Sequence, residues 1–260
     1  MTSPAALADD VRRFRRLPVP APFAEYGAAA CVALAEVSAA ASGTGEVEMS
    51  HAVLAASLDR AVRSRIRSHL AGRHCAGTAI AALTGADAAV TIPIGPLGAP
   101  VWPAGLVGSI THGGPLAAAV VAPDSRWRGI GIDCERLLPD AESDDIVGLV
   151  FPEAAATRVL SAGVPASRGR LVSVAFSAKE SLYKCLAPLA GQFFDFTAAR
   201  VEEIDFERGT VRLLVTEPVG GPIAPGLLLT ARFRVDQDHV YSAVGLPVLD
   251  HTPGASAPPG

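Results

Sequence analysis

Apolar residues recur at intervals of three and four along residues 46–71, as they do on one face of an amphipathic helix. The pattern pauses at Gly72, resumes over residues 73–83 and ends before Gly85, a residue type that favours the position after a helix. Residues 24–41 are rich in small apolar side chains and fit either a helix or a strand. The first part of the chain is therefore predicted to be mainly helical.

Shorter apolar runs predict strands at residues 107–111, 116–122 and 128–134. Turn residues separate the runs, so we expect an antiparallel meander whose first connection, residues 112–115, is hairpin-like. Residues 91–103 precede these strands and hold four prolines and two glycines. They are predicted to form a loop or short extended pieces.

The second half of the chain repeats this order of helices followed by strands. Helices are predicted at residues 152–160 and 168–187, the latter with a break near Phe176. Four strands joined by turns follow, at residues 201–206, 210–215, 227–235 and 239–244.

Helices followed by a meander, twice along the chain, predict an α+β fold of two similar halves with a pseudo-twofold relation. Each half is expected to have a mostly antiparallel sheet packed on helices. We place the two halves at residues 1–125 and 126–249. Residues 250–260 are rich in Pro, Ala and Gly and are expected to form a disordered tail.

Composition excludes several classes of function. Half of the 260 residues are apolar and the net charge is -4, so the chain can bury a core and is not a general nucleic-acid binder. Its four cysteines are far apart and form no Cys-x-x-Cys pair, which disfavours a zinc site or a disulfide framework and suits a reducing cytoplasm. No segment approaches the ~20 apolar residues of a membrane span, and the N-terminus lacks the apolar run of a secretory signal. We therefore expect a cytoplasmic protein with a local anion site.

Two carboxylates stand two residues apart in Gly131-Ile132-Asp133-Cys134-Glu135, at the end of an apolar run. Since side chains alternate along a strand, Asp133 and Glu135 would share one face, with Cys134 on the opposite, apolar face. Like charges so close repel unless a cation lies between them, and oxygen ligands fit Mg²⁺ or Mn²⁺ better than zinc. A strand end entering solvent, with Arg136 neutralising one acid, explains the pentapeptide equally well.

Three charged residues, Lys179, Glu180 and Lys184, lie in an otherwise apolar helical stretch. Glu180 and Lys184 are four residues apart, which is also the spacing of a favourable surface pair, and Ser177 with Glu180 matches a capping box. Charges in such an apolar setting nevertheless need partners. A metal ion for the carboxylate and phosphates for the lysines would supply them.

A third polar stretch, Ser109-Ile110-Thr111-His112, closes a predicted strand before two glycines. Ser109, Thr111 and His112 can all donate hydrogen bonds to an anion, and the glycines leave backbone amides accessible. A polar hairpin turn is the alternative explanation. The chain has neither a Gly-x-Ser-x-Gly elbow nor a Walker lysine motif, which excludes the corresponding hydrolase and nucleotide-binding designs.

In this order, the motifs resemble the paired signature of the 4'-phosphopantetheinyl transferases. The signature is Gly131-Ile132-Asp133-x-Glu135 followed by Phe176-x-x-Lys179-Glu180-Ser181-x-x-Lys184, with the Ser-Ile-Thr-His stretch upstream. The gap of roughly forty residues between the motifs is similar to that of the larger class, which activates surfactin and enterobactin synthetases. Gly72-Arg73-x-x-Ala76 and residues 95–103 extend the resemblance, so it covers about residues 60–200.

The resemblance implies a monomer of two similar α+β halves with coenzyme A in the cleft between them. It also implies a reaction in which a serine hydroxyl of an apo acyl or peptidyl carrier protein attacks the β-phosphate of coenzyme A. Phosphopantetheine is transferred and 3',5'-adenosine bisphosphate leaves. Carriers of fatty-acid, polyketide and nonribosomal-peptide synthesis all fit, and neither nucleic acid nor a membrane is expected as a partner.

Roles for individual residues follow from the resemblance. Asp133, Glu135 and Glu180 would bind Mg²⁺, for which Mn²⁺ is an alternative, and the metal would bridge the pyrophosphate. Lys179 and Lys184 would lie against the phosphates, and Lys184 would also assist the leaving group.

The resemblance assigns the 3'-phosphate of coenzyme A to a second group of residues. Ser109, His112 and Arg73 would hold it, with Arg65 as a further candidate. Glu153 stands where some relatives carry a carboxylate that contacts the metal-bound water and deprotonates the serine. Its place near a predicted helix N-terminus also has an ordinary dipole explanation.

The sequence departs from the family pattern at Ile94 and Leu97, where some relatives carry a lysine near the phosphates. That phosphate contact is either missing or supplied elsewhere, for example by an arginine of residues 60–67. For the carrier, we expect a surface made of the Phe193-Phe194-x-Phe196 loop and nearby arginines, although core aromatics and solvated arginines explain the same residues. These arginines are Arg158, Arg168 and Arg170.

Two other functions remain open at this point. One is a non-catalytic module that binds coenzyme A or a carrier protein without turnover. Such a module would have no need of all four residues Asp133, Glu135, Glu180 and Lys184. The other is a metal-dependent phosphohydrolase of coenzyme A.

Overall fold

The structure is a computed structural model that describes residues 15–34, 51–86, 90–151 and 166–248. The helices are α1 (Ala21–Tyr26), α2 (His51–Thr84), α3 (Asp144–Val150) and α4 (Arg168–Ala190). The strands are β1 (Arg15–Leu17), β2 (Ala29–Leu34), β3 (Leu106–Gly113), β4 (Leu116–Pro123), β5 (Trp127–Arg136), β6 (Ala199–Asp205), β7 (Thr210–Val215), β8 (Leu228–Val235) and β9 (His239–Pro247). No helix within these ranges is long and apolar enough to span a membrane.

The strands form two antiparallel sheets, with the orders β1-β2-β4-β3 and β5-β9-β8-β7-β6. The predicted α+β fold is therefore confirmed. All strands up to Pro123 belong to the first sheet and all strands from Trp127 belong to the second. The division into halves at residues 1–125 and 126–249 and their pseudo-twofold relation stay predictions, and the expected tail at 250–260 lies outside the described residues.

The predicted meander of β3, β4 and β5 is wrong in its last step. β4 is flanked by β2 on one side and β3 on the other, so both of its edges are already paired. β5 instead pairs with β9, the last strand of the chain, with Asp133 opposite Ser242. The remaining strand predictions in the second half are confirmed by β6 to β9.

Helix α2 runs without a break through Gly72, where a pause was predicted. A Cβ at this position would stand 2.6 Å from the Cγ2 atom of Ile110. Gly72 therefore allows α2 to pack closely against β3 rather than ending the helix. Gly85 does cap it, with a φ of 73° and an N–H that donates to the carbonyl oxygen of Ala81 at 2.9 Å.

Helix α4 also runs unbroken past Phe176, and the capping-box prediction at Ser177 is wrong. The N-cap is Ser167, whose hydroxyl accepts from the N–H of Arg170 at 3.4 Å. Ser177 lies in the middle of the helix, where its buried hydroxyl is 2.8 Å from that of Ser242 on β9. This hydroxyl contact ties α4 to the second sheet because both groups are removed from water.

Both faces of strand β5 are packed, and its side chains point alternately to one face and to the other. Ile130, Ile132 and Cys134 are buried in a core that also contains Phe23 and Val120. Burying each isoleucine side chain stabilises the fold by about 2 kcal/mol. The other face of β5 turns towards α4 and carries the two carboxylates.

Two glycines on that face set the distance between β5 and α4. A Cβ on Gly131 would stand 2.7 Å from the amide nitrogen of Cys185 and closer still to the carbonyl oxygen of Ser181. A Cβ on Gly129 would collide with the carbonyl oxygen of Cys185. The helix backbone thus rests directly on the strand backbone, which brings the charged residues of α4 within reach of Asp133.

Candidate active site

Asp133 is the centre of a buried polar cluster formed by β3, β5 and α4. Its side chain is 1% exposed, and its Oδ1 atom is 2.6 Å from the Nζ atom of Lys184. Thr111 donates from its Oγ1 atom to the same oxygen at 3.1 Å, and Lys184 donates to Thr111 Oγ1 at 3.1 Å. Strand alternation and helical spacing thus bring together residues that are up to 73 positions apart.

The charges of this cluster are coupled. Burial lowers the pKa of Lys184, but the charge and hydrogen bond of Asp133, with Glu180 and Glu135, outweigh burial and raise it overall. Lys184 is therefore a firmly protonated ammonium ion. It neutralises one of three carboxylates.

Glu135 and Glu180 are half-buried beside this pair. Burial and the nearby charge of Asp133 raise the pKa of Glu135 to about 7. Burial, followed by the charge of Asp133, raises the pKa of Glu180, and Lys184 opposes that shift. Burial is the largest cause of both shifts, and a bound cation would favour the charged carboxylates that burial disfavours.

The donor atoms fit a hard divalent cation, although they do not surround a single point. Asp133 Oδ2 is buried and has no hydrogen-bond partner among the described residues. Within the same ranges, no group of three or more His, Cys, Asp or Glu side chains is arranged so that it could hold a metal ion. Carboxylate oxygens are the ligands that Mg²⁺ prefers. Of the predicted ligands, Asp133 therefore offers a free oxygen, while Glu135 and Glu180 lie near it without converging.

A series of basic side chains leads away from Lys184 along β3 and α2. His112 lies near the end of β3, where partial burial of its imidazole, followed by Lys184 and His69, lowers its pKa. Burial and the charge of Arg73 lower the pKa of His69. Burial first, and the neighbouring cations second, therefore disfavour the protonated imidazoles, and an anion bound beside them would favour their protonation.

Arg73 holds the loop after α2. Its Nη1 atom donates to the carbonyl oxygens of Ile92 at 3.2 Å and Pro93 at 2.9 Å. Just beyond, Ile94 and Leu97 are 63% and 59% exposed. No lysine stands in this loop, so Arg73 is its basic contact on the described part of α2.

Ser109 does not face solvent, as a phosphate contact would require. It is 3% exposed and its Oγ atom accepts from the backbone N–H of Ile132 at 3.1 Å. β3 and β5 belong to different sheets and are not paired by backbone hydrogen bonds. The Ser109 hydroxyl instead accepts the Ile132 N–H and so connects the two sheets. The phosphate role of Ser109 stays a prediction that its burial does not favour.

Thr111 was predicted as a possible hydrogen-bond donor to an anion, but not as a site residue. The available signal was the strand period, because Thr111 follows Ser109 by two positions and lies on the same face. Thr111 is 2% exposed and joins Asp133 to Lys184. It is the residue through which β3 of the first sheet reaches the carboxylate cluster.

Lys179 points away from the cluster. Its Nζ atom donates to the carbonyl oxygen of Phe196 at 2.9 Å, and burial lowers its pKa to about 8, with Asp195 opposing the shift. On a helix, neighbouring residues project about 100° apart, so Lys179 and Glu180 face different surroundings. The structure therefore brings Lys184, but not Lys179, to the carboxylates.

Two predicted site residues cannot be placed. Glu153 lies outside the described residues, and so does the side chain of Arg65, although its backbone belongs to α2.

The phenylalanine loop after α4 is divided between the core and the surface. Phe194 is half-buried with its ring 4.9 Å from that of Tyr183, and Phe196 packs edge-on against Phe176. Phe193 is 69% exposed, and its ring lies 5.7 Å from that of Tyr183, whose pKa is raised by burial and by the charge of Glu180. The core explanation thus holds for two of the rings, and Phe193 is presented at the rim of the site.

Two family models match the chain. Residues 54–122 match the 4'-phosphopantetheinyl transferase N-terminal domain, and residues 129–223 match the 4'-phosphopantetheinyl transferase superfamily. The matches thus meet between β4 and β5, and the second contains the three carboxylates and Lys184.

Similar proteins carry the same family name. The chain is 35% identical over 144 residues to 4'-phosphopantetheinyl transferase Npt of Nocardia iowensis, covering 55% of this chain and 61% of that protein. It is 37% identical over 179 residues to 4'-phosphopantetheinyl transferase Svp of Streptomyces mobaraensis, covering 64% and 67%. It is 32% identical over 193 residues to 4'-phosphopantetheinyl transferase PptT of Mycobacterium tuberculosis, covering 72% and 82%.

The match to the Nocardia protein spans less than two thirds of its length, whereas the other two matches span two thirds or more. The predicted resemblance is confirmed, because two matching models and several relatives agree with the motifs. This chain belongs to the 4'-phosphopantetheinyl transferase superfamily.

Proposed function

We propose that this protein transfers the 4'-phosphopantetheine group of coenzyme A to a serine of an apo acyl or peptidyl carrier protein. The reaction is Mg²⁺-dependent and releases 3',5'-adenosine bisphosphate. The observation that carries the proposal is the ion pair of Asp133 and Lys184, flanked by Glu135 and Glu180 and continued by the basic side chains of β3 and α2. A pyrophosphate with bound Mg²⁺ requires a cation site next to an anion site, and carboxylates next to basic side chains support such a pair of sites here.

Asp133, Glu135 and Glu180 would hold the metal. Asp133 contributes its buried Oδ2 atom, which has no hydrogen-bond partner among the described residues, and the nearness of Glu135 and Glu180 to Asp133 supports their participation. When bound, Mg²⁺ neutralises charge on the pyrophosphate and favours loss of the bisphosphate. Mn²⁺ has the same ligand preference and remains an alternative.

Lys184 would act on the leaving group. The serine oxygen forms a bond to the β-phosphorus, the bond from that phosphorus to the bridging oxygen breaks, and the electron pair goes to the bisphosphate. A protonated Lys184 beside that oxygen stabilises the developing charge, and Thr111 and Asp133 hold its ammonium group in place. The serine proton needs an acceptor, for which Glu153 stays a prediction.

His112 and Arg73 would bind the 3'-phosphate, with His69 beside them and Arg65 as a further prediction. What supports this assignment is that basic side chains of β3 and α2 lie close enough for Arg73 to lower the pKa of His69, and His69 that of His112, in addition to the larger effect of burial. Lys179 has a different role in this proposal. Its hydrogen bond to the Phe196 carbonyl anchors the phenylalanine loop, and we assign the phosphates to Lys184 instead.

Phe193 would contact the carrier protein near the reacting serine. It is an exposed aromatic ring at the rim of the site, and such rings are common at the centres of protein interfaces. We further propose that the protein acts as a monomer in the cytoplasm, divided into the two halves named above. Neither nucleic acid nor a membrane has a role in this function.

The test is intact-mass spectrometry of apo carrier proteins after incubation with the protein, coenzyme A and Mg²⁺, with and without EDTA. We expect a gain of one phosphopantetheinyl group that EDTA abolishes. No gain with coenzyme A still bound would favour the binding module. No gain with consumption of coenzyme A would favour the hydrolase.

A matched pair of variants connects this result to the site. Asp133→Asn removes the charge of the proposed ligand, and Asp124→Asn makes the same change in an exposed turn. We expect turnover to be lost only in the first. Turnover of Asp133→Asn within a few-fold of the wild type would refute the assignment of the metal site.

A further inference from the structure

Three buried hydroxyl groups meet where α4 packs on β9. Ser177 and Ser181 lie one turn apart on α4, Ser242 lies on β9, and all three side chains are completely removed from solvent. The Oγ atom of Ser242 is 2.8 Å from that of Ser177 and 2.7 Å from that of Ser181. Ser181 also donates to the backbone carbonyl oxygen of Ser242 at 3.1 Å. We call these three residues the serine cluster.

The hydrogen bonds of the serine cluster run in one direction. A hydroxyl group has a single hydrogen to donate. Because Ser181 gives its hydrogen to the Ser242 carbonyl, Ser242 must be the donor in the contact between the two hydroxyls. Ser177 must then donate to Ser242. Each hydrogen has its own acceptor, so the cluster is fully satisfied away from water, and this arrangement requires one particular placement of α4 against β9.

The strand side of the serine cluster adjoins the carboxylate cluster. Asp133 and Ser242 are directly opposite each other on β5 and β9. Side chains of opposite residues share a face of the sheet, with Cβ atoms about 5 Å apart. Both side chains meet α4, since Asp133 contacts Lys184 there and Ser242 contacts the two helix serines. The placement of α4 against Ser242 is therefore also its placement against Asp133.

The helix side of the cluster lies on the turns that carry the site residues. Ser177 precedes Glu180 by three positions, and Ser181 precedes Lys184 by three. Side chains three residues apart are neighbours on the surface of a helix. Each serine is thus next to one of the charged residues on α4. A shift or rotation of α4 that displaced Glu180 and Lys184 would have to break the hydrogen bonds to Ser242.

Directional contacts matter here because apolar packing accounts for much of the contact between α4 and the second sheet. Leu182 and Leu186 are buried in the core beneath the helix. The hydrophobic effect depends on the area removed from water and has no preferred angle. Hydrogen bonds, in contrast, weaken steeply when their angle or length changes. The serine cluster therefore restricts sliding and rotation of α4 more strictly than the apolar contacts do.

We propose that Ser242 is a positioning residue for the transfer reaction and acts through Ser177 and Ser181. Its hydrogen bonds fix α4 along and around the helix axis, and this holds Glu180 and Lys184 beside Asp133. The inference rests on the function proposed above for those three residues. A misplacement of about 1 Å can cost about 100-fold in rate, so even a small shift of the helix is expected to be visible in kcat.

The test compares Ser242→Ala with the triple variant Ser177→Ala/Ser181→Ala/Ser242→Ala. The single variant leaves the hydrogen of Ser177 without its acceptor and should lower Tm by about 4–8 °C. The triple variant leaves no buried hydroxyl unpaired and should regain at least half of that loss. We expect kcat to fall about tenfold in both variants, with KM for coenzyme A within about threefold of the wild type. Recovery of kcat together with Tm in the triple variant would reduce the cluster to a structural role.

A second measurement follows Lys184 without turnover. The two lysines of the chain, Lys179 and Lys184, both lie on α4, and the Lys184 side chain is 26% exposed. Acetic anhydride reacts with the neutral amine, so pairing with a carboxylate protects a lysine. Peptide mass spectrometry without coenzyme A or Mg²⁺ gives the labelling of Lys184 relative to Lys179. The ratio should rise at least about threefold in the single and triple variants, because Lys184 loses its fixed position at Asp133.

The matched control is Ser173→Ala, the same change on the same helix. Ser173 is buried, and its hydroxyl donates to the Gly169 carbonyl at 2.8 Å and accepts from the Leu138 N–H at 2.9 Å. It precedes Lys184 by eleven residues, or about 17 Å along α4. Ser173→Ala should lower Tm but leave both kcat and the labelling ratio within twofold of the wild type.

Two results would overturn the positioning role of Ser242. One is a triple variant with the kcat and the labelling ratio of the wild type, and the other is an equal effect of Ser173→Ala on both quantities. Circular dichroism establishes that each variant is folded. Because the labelling needs no turnover, it decides the positioning role even if the wild type transfers no phosphopantetheine, a result that would refute the proposed function instead.

Discussion

Gly131→Ala should separate the alignment of the active site from its chemistry, because it changes no charged or hydrogen-bonding side chain. The added Cβ would stand 2.7 Å from the amide nitrogen of Cys185 and nearer to the carbonyl oxygen of Ser181, below the 3.0 Å that real Cβ atoms keep. Both obstacles are backbone atoms, so no flexible side chain can turn aside. Helix α4 must move away from β5 by about 1.3 Å to bring that carbonyl oxygen to 3.0 Å from the Cβ.

Such a movement acts directly on the site. The distance of 2.6 Å between Lys184 Nζ and Asp133 Oδ1 would lengthen by a similar amount, and Glu180 would move with the same helix. A misplacement of about 1 Å can cost about 100-fold in rate. Overpacking costs about 2 kcal/mol of unfolding free energy, which lowers Tm by about 4–8 °C in a chain of this size.

The assay combines carrier phosphopantetheinylation, followed by intact mass, with thermal unfolding. Gly148→Ala is the control, since a Cβ there meets nothing within 4 Å and α3 should tolerate it. Gly129→Ala serves as a second comparison, because it also collides with α4 but lies farther from Asp133. If Gly131→Ala kept kcat/KM within threefold of the wild type, the close contact between the backbones of β5 and α4 would not be needed to align Lys184 with Asp133.

Three further outcomes are expected. Glu135 must lose its proton to bind a cation, and its pKa is raised to about 7. The Mg²⁺ concentration for half-maximal activity should therefore rise as pH falls from 8 to 6. A constant concentration over this range would contradict Glu135 as a ligand. Lys184→Ala should lower kcat more than it raises KM for coenzyme A, as expected of a group acting in the transition state, and the reverse pattern in steady-state kinetics would assign it to binding. Lys179→Met should leave KM for coenzyme A within twofold, because its ammonium group is held by Phe196, whereas a tenfold rise would restore its phosphate role.

The local features of the site were readable from residue order. Alternation along a strand correctly predicted that Cys134 faces a core while the neighbouring carboxylates face away from it. Helical spacing correctly placed Glu180 and Lys184 near each other on one helix. These predictions succeed because a period of two or of 3.6 residues depends only on the local backbone.

The roles of two glycines could not be predicted from their neighbours in the sequence. Gly72 was predicted to interrupt a helix because glycine has low helix propensity, yet it lies inside α2 where Ile110 leaves no room for a Cβ. Gly131 was noticed only as part of a motif, although it decides how closely α4 approaches β5. In both cases the reason is a neighbour from a distant part of the chain.

Residue order alone predicted the α+β class, most of the strands and two motifs that together identify the family. Only the tertiary structure decided that β5 pairs with β9, that Ser109 joins the two sheets, that Lys184 rather than Lys179 reaches Asp133, and that three buried serines join α4 to β9. The physical reason is sequence separation. Asp133 and Lys184 are 51 residues apart, so their contact exists only after β5 and α4 pack together, and no local pattern encodes that packing.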